Sequence, residues 1–291
     1  MSAAAAVAVA ALLFASVSIC IYSQIVLSIF VFKTLKRNKD LAMFYARFVL
    51  DILYSFSIAL NLAYFLLTLT GFKDFLDTHH NILFYVAWPN FNMSDVRALL
   101  VLAITLDRTI GAYMPIFYHN YRNKLSTSAI VMIIASYGLF EFIILFGFCG
   151  FTLQVPEDCF HFSCAINTCY REYWLSFDQV VYFLIGALSL ALCTRLYIWN
   201  NCRNAKKTPD LSKANRLAVL DTFISFSFDL LPSFILSHFP LNFGSIGPIN
   251  ALGKTLGIMI EAIIVRMSLQ KHRKVQPEKS TTQTVKVVMI S

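Results

Sequence analysis

Asp107 and Arg108 stand side by side where a long apolar run gives way to polar sequence. An acid and an arginine at such a boundary can pair with each other. They can also exchange partners when the segments around them move, and a pair with two arrangements is a switch. Pro115, Tyr118 and Arg122 follow in the same polar stretch, with His119, Asn120 and Tyr121 between the last two. The plainer reading of Arg108 is an interfacial arginine whose head reaches water while its stem lies on apolar surface. Other polar groups lie inside the apolar runs: Asp51, Asn92, Asp95, Arg97, Asp229, Lys254 and Glu261. A charge deep in an apolar slab costs about 2.5–3.5 kcal/mol, so each needs a partner or a purpose. Asp95 and Arg97 are two residues apart and do not share a helix face, so different neighbours are expected for them. They line a ligand cavity or lock a bundle. Asp229, Asp51 and Glu261 are the candidate partners of Lys254, and Asp229 followed by Pro232 marks a kink that would serve as a hinge.

Cys149, Cys159, Cys164 and Cys169 cluster in or beside one polar segment. They are disulfide candidates in an oxidising compartment, and four thiols allow three pairings. A metal site is the rival, but the paired short intervals of common zinc modules are missing. The chain has no Gly-rich phosphate loop, no metal-ligand helix motif and no nucleophile elbow, so neither an enzyme nor a cofactor is expected.

These groups are positioned by seven apolar runs, at about 3–32, 41–70, 81–107, 127–152, 176–200, 217–239 and 246–268. Each is long enough to cross about 30 Å of hydrocarbon as a helix. Hydrophobic residues make up 58% of the chain and charged residues 14%, against roughly a quarter charged in soluble domains. The fold class expected is all-α: an integral membrane bundle of seven helices over 1–268, with a polar, basic tail over 269–291 that is expected to be disordered. The first run lacks a basic leader and is read as a span rather than a cleaved signal. Residues 73–80 are read as a polar loop, and the Cys-rich segment as a loop reaching about Trp174.

The net charge of +8 does not point to nucleic acid, because the basic residues alternate by side. Lys33, Lys36, Arg37 and Lys39 fall on one side. So do Arg108, Arg122 and Lys124, the stretch from Arg203 to Arg216, and the tail from Lys271 to Lys286. Lys73 and Arg171 fall on the other. The basic side is cytoplasmic, which puts the N-terminus and the cysteines outside and the C-terminus inside. Disulfides persist on that outer side, so two independent features agree.

Asp-Arg with a proline eight residues after the Asp and then a Tyr resembles the third-helix signature of rhodopsin-type receptors. The string LDRTIGAYMPIFYHNYRNKLS resembles, more specifically, the nematode serpentine chemoreceptors of class BC. FYARFVLDIL, FGFC followed by CFHFSCAINTCY, LSKANRLAVLD and SIGPINALGKTLGIMIEA, in that order, extend the likeness over about 40–268. The resemblance implies a seven-helix receptor in sensory neurons, sited on their cilia and signalling through a heterotrimeric G protein. Asp51 resembles a receptor acid that can hold sodium, but the first run lacks the Asn that accompanies it, so a hydrogen-bonded network is the preferred reading. Lys254 invites a Schiff-base reading, against which stands simple pairing to an acid. Three features depart from the wider pattern. Thr109 follows the Arg, the seventh run has no Asn-Pro-x-x-Tyr, and no Cys lies between Cys20 and Cys149. The segment bearing the four cysteines must therefore be tied within itself or to Cys149.

The function expected is a chemosensory receptor. A small-molecule ligand enters from outside among helices three, five, six and seven, and the region around Arg108 meets the G protein. Ser280, Thr281, Thr282 and Thr284 in the tail would, if phosphorylated, recruit a desensitising partner. A transporter with an intramembrane charge path and an inverted ligand-gated channel are the rivals, and the loop charges argue against the second.

Overall fold

The computed structural model describes residues 3–32, 41–70, 72–122, 126–156, 159, 162–202, 217–220, 223–224, 226–230 and 248–275. Pro232, Lys124, the basic segments at 33–39 and 203–216, and the tail from 276 lie outside them. Nine helices are labelled here: α1 (Ala3–Phe30), α2 (Ala42–Thr68), α3 (Lys73–Thr78), α4 (Ile82–Tyr113), α5 (Pro115–Arg122), α6 (Thr127–Ile143), α7 (Phe162–Ala165), α8 (Thr168–Cys202) and α9 (Ile249–Val275). The described residues contain no strand, and the chain is an all-α membrane bundle. The sixth apolar run is described only in part, including a π-helical turn at Phe226–Leu230.

The helices form because the runs leave no other way to satisfy the backbone in hydrocarbon. Helices α1, α2, α6 with its π-helical extension, and α8 are long and apolar enough to cross a membrane. Helices α4 and α9 are as long, and their charges at Asp95, Arg97, Arg108 and Glu261 are buried. Large apolar side chains point outward instead: Ile133 is 71% exposed, Leu139 73% and Phe183 73%. Such a surface suits lipid rather than water.

Helix α1 packs between α2 and α9, and α2 packs on α4. On α1, Ala4, Ala8, Ala11, Ala15, Ser18, Tyr22, Ile25 and Ile29 are buried. Small residues at that spacing let two backbones approach closely. Helix α4 is the central shaft, in contact with α2, α5, α6, α7 and α8.

Several boundaries differ from those read off the apolar runs. Residues 73–80, expected as a loop, contain the short helix α3. The fifth helix starts at Thr168 rather than 176. Its first turns are polar, and Asn167 caps them: its Oδ1 accepts from the Tyr170 N–H at 3.0 Å. The third helix runs on to Tyr113, and Pro115, with no N–H to lose, opens α5. Helix α6 ends in a π-helical turn, Ile144–Phe148, and Gly150, at φ 57°, turns the chain back. Helix α9 continues to Val275, past the apolar run.

The cysteines choose one of the three pairings: Cys149 with Cys169 and Cys159 with Cys164. The first bond joins the end of the fourth span to the start of the fifth, and the second closes a small loop inside it. Phe151, Val155, Cys159, Phe162, Ala165 and Ile166 then pack on Leu83, Phe84 and Ala87 of α4. The tied segment is a lid on the cysteine end of the bundle, with a hydrophobic core of its own.

Candidate functional site

Three polar clusters sit along α4, and together they take up most of the residues singled out in the sequence. At the end away from the cysteines, Asp107 receives three donors. Arg108 Nη2 is 2.7 Å from Oδ2 and Arg122 Nε 2.8 Å from Oδ1. The Tyr118 hydroxyl donates to Oδ2 at 3.1 Å. Arg108 Nη2 also reaches the Tyr118 oxygen at 3.4 Å. The break at Met114 between α4 and α5 makes this possible, because it folds α5 back beneath the end of α4. The Tyr118 ring packs over Gly111, its carbons at an ordinary contact distance of 3.6 Å from where a Cβ would stand. Burial pushes the Tyr118 hydroxyl above its ordinary pKa, so it stays protonated and donating. Arg122 Nη2 donates to Thr127 Oγ1 at 3.0 Å, which ties α5 to the start of α6. Thr109 donates to the Thr105 carbonyl at 2.8 Å and to the Leu188 carbonyl at 3.3 Å, so it bonds α4 to α8.

Near the middle of the bundle, two arginines and two acids form a closed ring across three helices. Arg97 Nε of α4 is 2.8 Å from Asp51 Oδ1 of α2. Arg97 Nη2 is 3.3 Å and Arg47 Nη2 2.7 Å from Glu261 Oε2 of α9. Arg47 Nε, one turn before Asp51 on α2, is 3.7 Å from its Oδ2. All four side chains are buried. The Arg97 guanidinium lies 5.9 Å from the centre of the Tyr54 ring. Tyr22 of α1 stacks on Phe48 beside the ring. Two guanidiniums face Asp51 where a small cation would otherwise sit.

Towards the cysteine end, Asn92 and Asp95, three residues apart on one face of α4, meet Glu141 of α6. Asn92 Nδ2 donates to Glu141 Oε2 at 2.6 Å and to the Gly138 carbonyl at 3.1 Å. Asp95 stands beside Glu141 and the Trp174 indole. These two are the groups in hydrogen-bonding position against its carboxyl. Asp95 is 1% exposed and Glu141 0%. Tyr137 and Tyr173 share a hydrogen bond between their hydroxyls next to this pair, and Tyr137 stacks on Phe177 at 4.9 Å.

The α4–α6 crossing depends on Gly138. A Cβ there would come within 2.7 Å of Asn92 Oδ1. Gly138→Ala is therefore expected to lose about 1–3 kcal/mol through overpacking and a displaced Asn92. Gly186→Ala, where nothing lies within 4 Å of the added carbon, is expected to be neutral or slightly stabilising. Thermal unfolding of the purified proteins checks the contrast, and equal behaviour of the two would remove the packing argument.

The structure thus divides a group of residues that the sequence presents together. Asp51, Arg97 and Glu261 belong to the central ring, whereas Asn92 and Asp95 belong to the α4–α6 cluster. Lys254 acts electrostatically on Asp95. Asp229 lies in the π-helical turn of the sixth run; its side chain and Pro232 are outside the described residues. Arg47 and Glu141 were not singled out by the sequence reading. Glu141 is the one acid between Thr127 and Phe148, so the cost of burying charge was the signal that could have found it.

The family described as Serpentine type 7TM GPCR chemoreceptor Srbc matches residues 1–273 of the chain. No curated protein matches it at a significant level.

Proposed function

We propose a function that proceeds from one premise: the chain belongs to the serpentine type 7TM GPCR chemoreceptor family Srbc. It is a multi-pass membrane receptor. In our reading it sits in the plasma membrane of sensory-neuron cilia, with its cysteine end outside and the Asp107 end in the cytoplasm. The alternation of basic loops supports that orientation. A small molecule from outside binds one arrangement of the helices better than another and shifts the population between them. The cytoplasmic end of α4 then engages a heterotrimeric G protein, with the basic loops at 118–126, which holds Arg122, and 203–216 completing the surface. Phosphorylation at Ser280, Thr281, Thr282 or Thr284 recruits the partner that ends the signal.

The observation that carries this reading is the clamp on Arg108. A buried arginine is held by an acid beside it, and that acid is shared with a tyrosine and an arginine from the connecting helix α5. The contacts can be exchanged together when α5 or a neighbouring span moves, which is the behaviour of a bistable element. Arg108→Ala is expected to reach the cell surface within about twofold of wild type. Its coupling to a G protein should fall at least tenfold, the loss of about one charge-assisted contact. Normal signalling from well-expressed Arg108→Ala would overturn the assignment. Solute flux into vesicles free of G protein would favour a transporter instead.

A further inference from the structure

The Asp107 end of α4 is held from a second side. Helix α8 runs beside it, and the two exchange bonds in both directions. From α4, the Tyr113 hydroxyl donates to the Ala191 carbonyl of α8 at 3.0 Å, one turn further along α4 than the bond of Thr109 to Leu188. From α8, Arg195 Nε donates to the Ala112 carbonyl of α4 at 3.4 Å, and its guanidinium lies 5.4 Å from the centre of the Tyr113 ring. The ring whose hydroxyl reaches α8 is thus the ring on which the α8 arginine sits. Ala98 and Val101 of α4 pack on Val181, Tyr182 and Ile185 of α8, so the polar exchange lies at the end of an apolar seam.

The place of these bonds gives them a consequence. Helix α4 stops at Tyr113, and the chain breaks at Met114. The last turn of a helix leaves carbonyls without an intrahelical partner and carries the negative end of the macrodipole. An arginine there bonds a carbonyl and answers that charge. Arg195 therefore stabilises the stop at Tyr113. The same stop folds α5 back, so that Tyr118 and Arg122 reach Asp107. Helix α8 is also uninterrupted from Thr168 to Cys202, and Cys169 near its first turn is bonded to Cys149. From that bond to Arg195 is about 40 Å at 1.5 Å per residue. One continuous helix thus joins the disulfide that ties the lid to the break at the end of α4.

We propose that Arg195 and Tyr113 are positioning residues for the Arg108 clamp: an internal latch through which α8 keeps α4 stopped at Tyr113 and the clamp closed. The latch names a regulation of the receptor reading above and rests on it. A displacement of α8 away from α4 withdraws the guanidinium from the Ala112 carbonyl and from the Tyr113 ring together. The helix end then loses its cap, and α5 loses the stop that folds it back. Tyr118 and Arg122 lose their hold on Asp107, and the clamp keeps one of the three contacts made to that acid. Both residues act through the position of α5.

Two measurements on the full chain test this. The first needs no G protein: amide hydrogen exchange of the purified protein in detergent. Arg195→Gln should speed exchange over 114–122 at least about fivefold, as local opening there becomes easier. Exchange over 82–90, at the other end of α4, should stay as in wild type. Tyr113→Phe keeps the ring but loses the bond to Ala191, and should give a smaller change at the same place. Arg195→Lys keeps a cation at the helix end and should restore most of the protection. The second measurement is ligand-independent G-protein activation per surface receptor. Arg195→Gln should raise it at least about threefold, yet add less than about twofold to Asp107→Asn, because the two act on one clamp. A residue that merely held the bundle together would speed exchange at both ends and give no such non-additivity. Unchanged exchange over 114–122, equal acceleration along the whole of α4, or full additivity with Asp107→Asn would each overturn the proposal. Localised acceleration in a protein that activates no G protein would keep the latch and remove the receptor reading. A basal rise in Asp107→Asn with none in Arg195→Gln does the reverse.

Discussion

Glu261→Gln is expected to cost about 3–5 kcal/mol, the usual penalty for removing one partner of a buried ion pair. The substitution keeps the shape of the side chain and removes its charge. What remains is two guanidiniums and one carboxylate, all buried where α2, α4 and α9 meet. A domain holds only about 5–15 kcal/mol of stability in all, so the folded fraction at the cell surface should fall sharply. The physical claim is about charge balance, and a second variant isolates it. Arg47→Met combined with Glu261→Met leaves the 2.8 Å pair of Arg97 with Asp51 intact and the region neutral. Apolar replacement of a buried pair is often neutral or stabilising, so the double variant should recover most of the loss. Surface density in intact cells and melting temperature in detergent are the measurements. A double variant as unstable as Glu261→Gln would show that the ring acts through shape or hydrogen bonding rather than balance.

The ring also shows where sequence reasoning reached its limit. That Asp95 and Arg97 face different neighbours follows from helical spacing alone, because two residues turn a helix by more than half a revolution. Which neighbours they face does not follow. Arg97 finds acids on helices 46 and 164 residues away in the chain, and nothing local in the sequence encodes that choice. The spans were legible because lipid imposes long apolar runs. Their ends were less so: α8 begins in Thr168-Cys169-Tyr170-Arg171-Glu172, which is polar because it extends beyond the apolar stretch, and polarity alone does not separate a helical turn from a loop. The cysteine pairing was open for a related reason. Spacing permits three solutions, and only the return of the chain at Gly150 brings Cys149 to the start of α8. Tyr118 was legible as part of a motif, but its bond to Asp107 depends on the break at Met114.

These placements give α4 a mechanical role. The Asp95 cluster, the Arg97 ring and the Arg108 clamp each join α4 to different partners: α6 and α8, α2 and α9, and α5. Packed interfaces of this kind change by switching between arrangements rather than by bending. A displacement of α4 at Asp95 must therefore be accommodated at the central ring before it reaches Arg108. The contacts of Arg97 with Asp51 and Glu261 set how far α4 can move without breaking an ion pair.

At the clamp, Asp107→Asn is expected to raise ligand-independent signalling per surface receptor by about tenfold or more. Asp107 is the common partner of Arg108, Arg122 and Tyr118. The asparagine keeps the shape and one acceptor but removes the charge that both guanidiniums answer. Each charge-assisted bond is worth about 1.5–3 kcal/mol, and water near the end of the bundle offsets part of that. A net loss of about 1.4 kcal/mol confined to the clamped arrangement multiplies the unclamped population tenfold. Signalling at rest would then move from about 1% to about 10% of maximum, were 1% the starting level. Tyr118→Phe removes one uncharged donor and should give a smaller rise in the same direction. Asp107→Asn combined with Arg108→Ala should be silent, because the freed arginine is the group that makes the contact. The measurement is basal G-protein activation against surface density for the three variants and wild type. Unchanged basal signalling in Asp107→Asn would mean that the clamp persists in the signalling arrangement, and that the contacts of Arg108 do not distinguish the two.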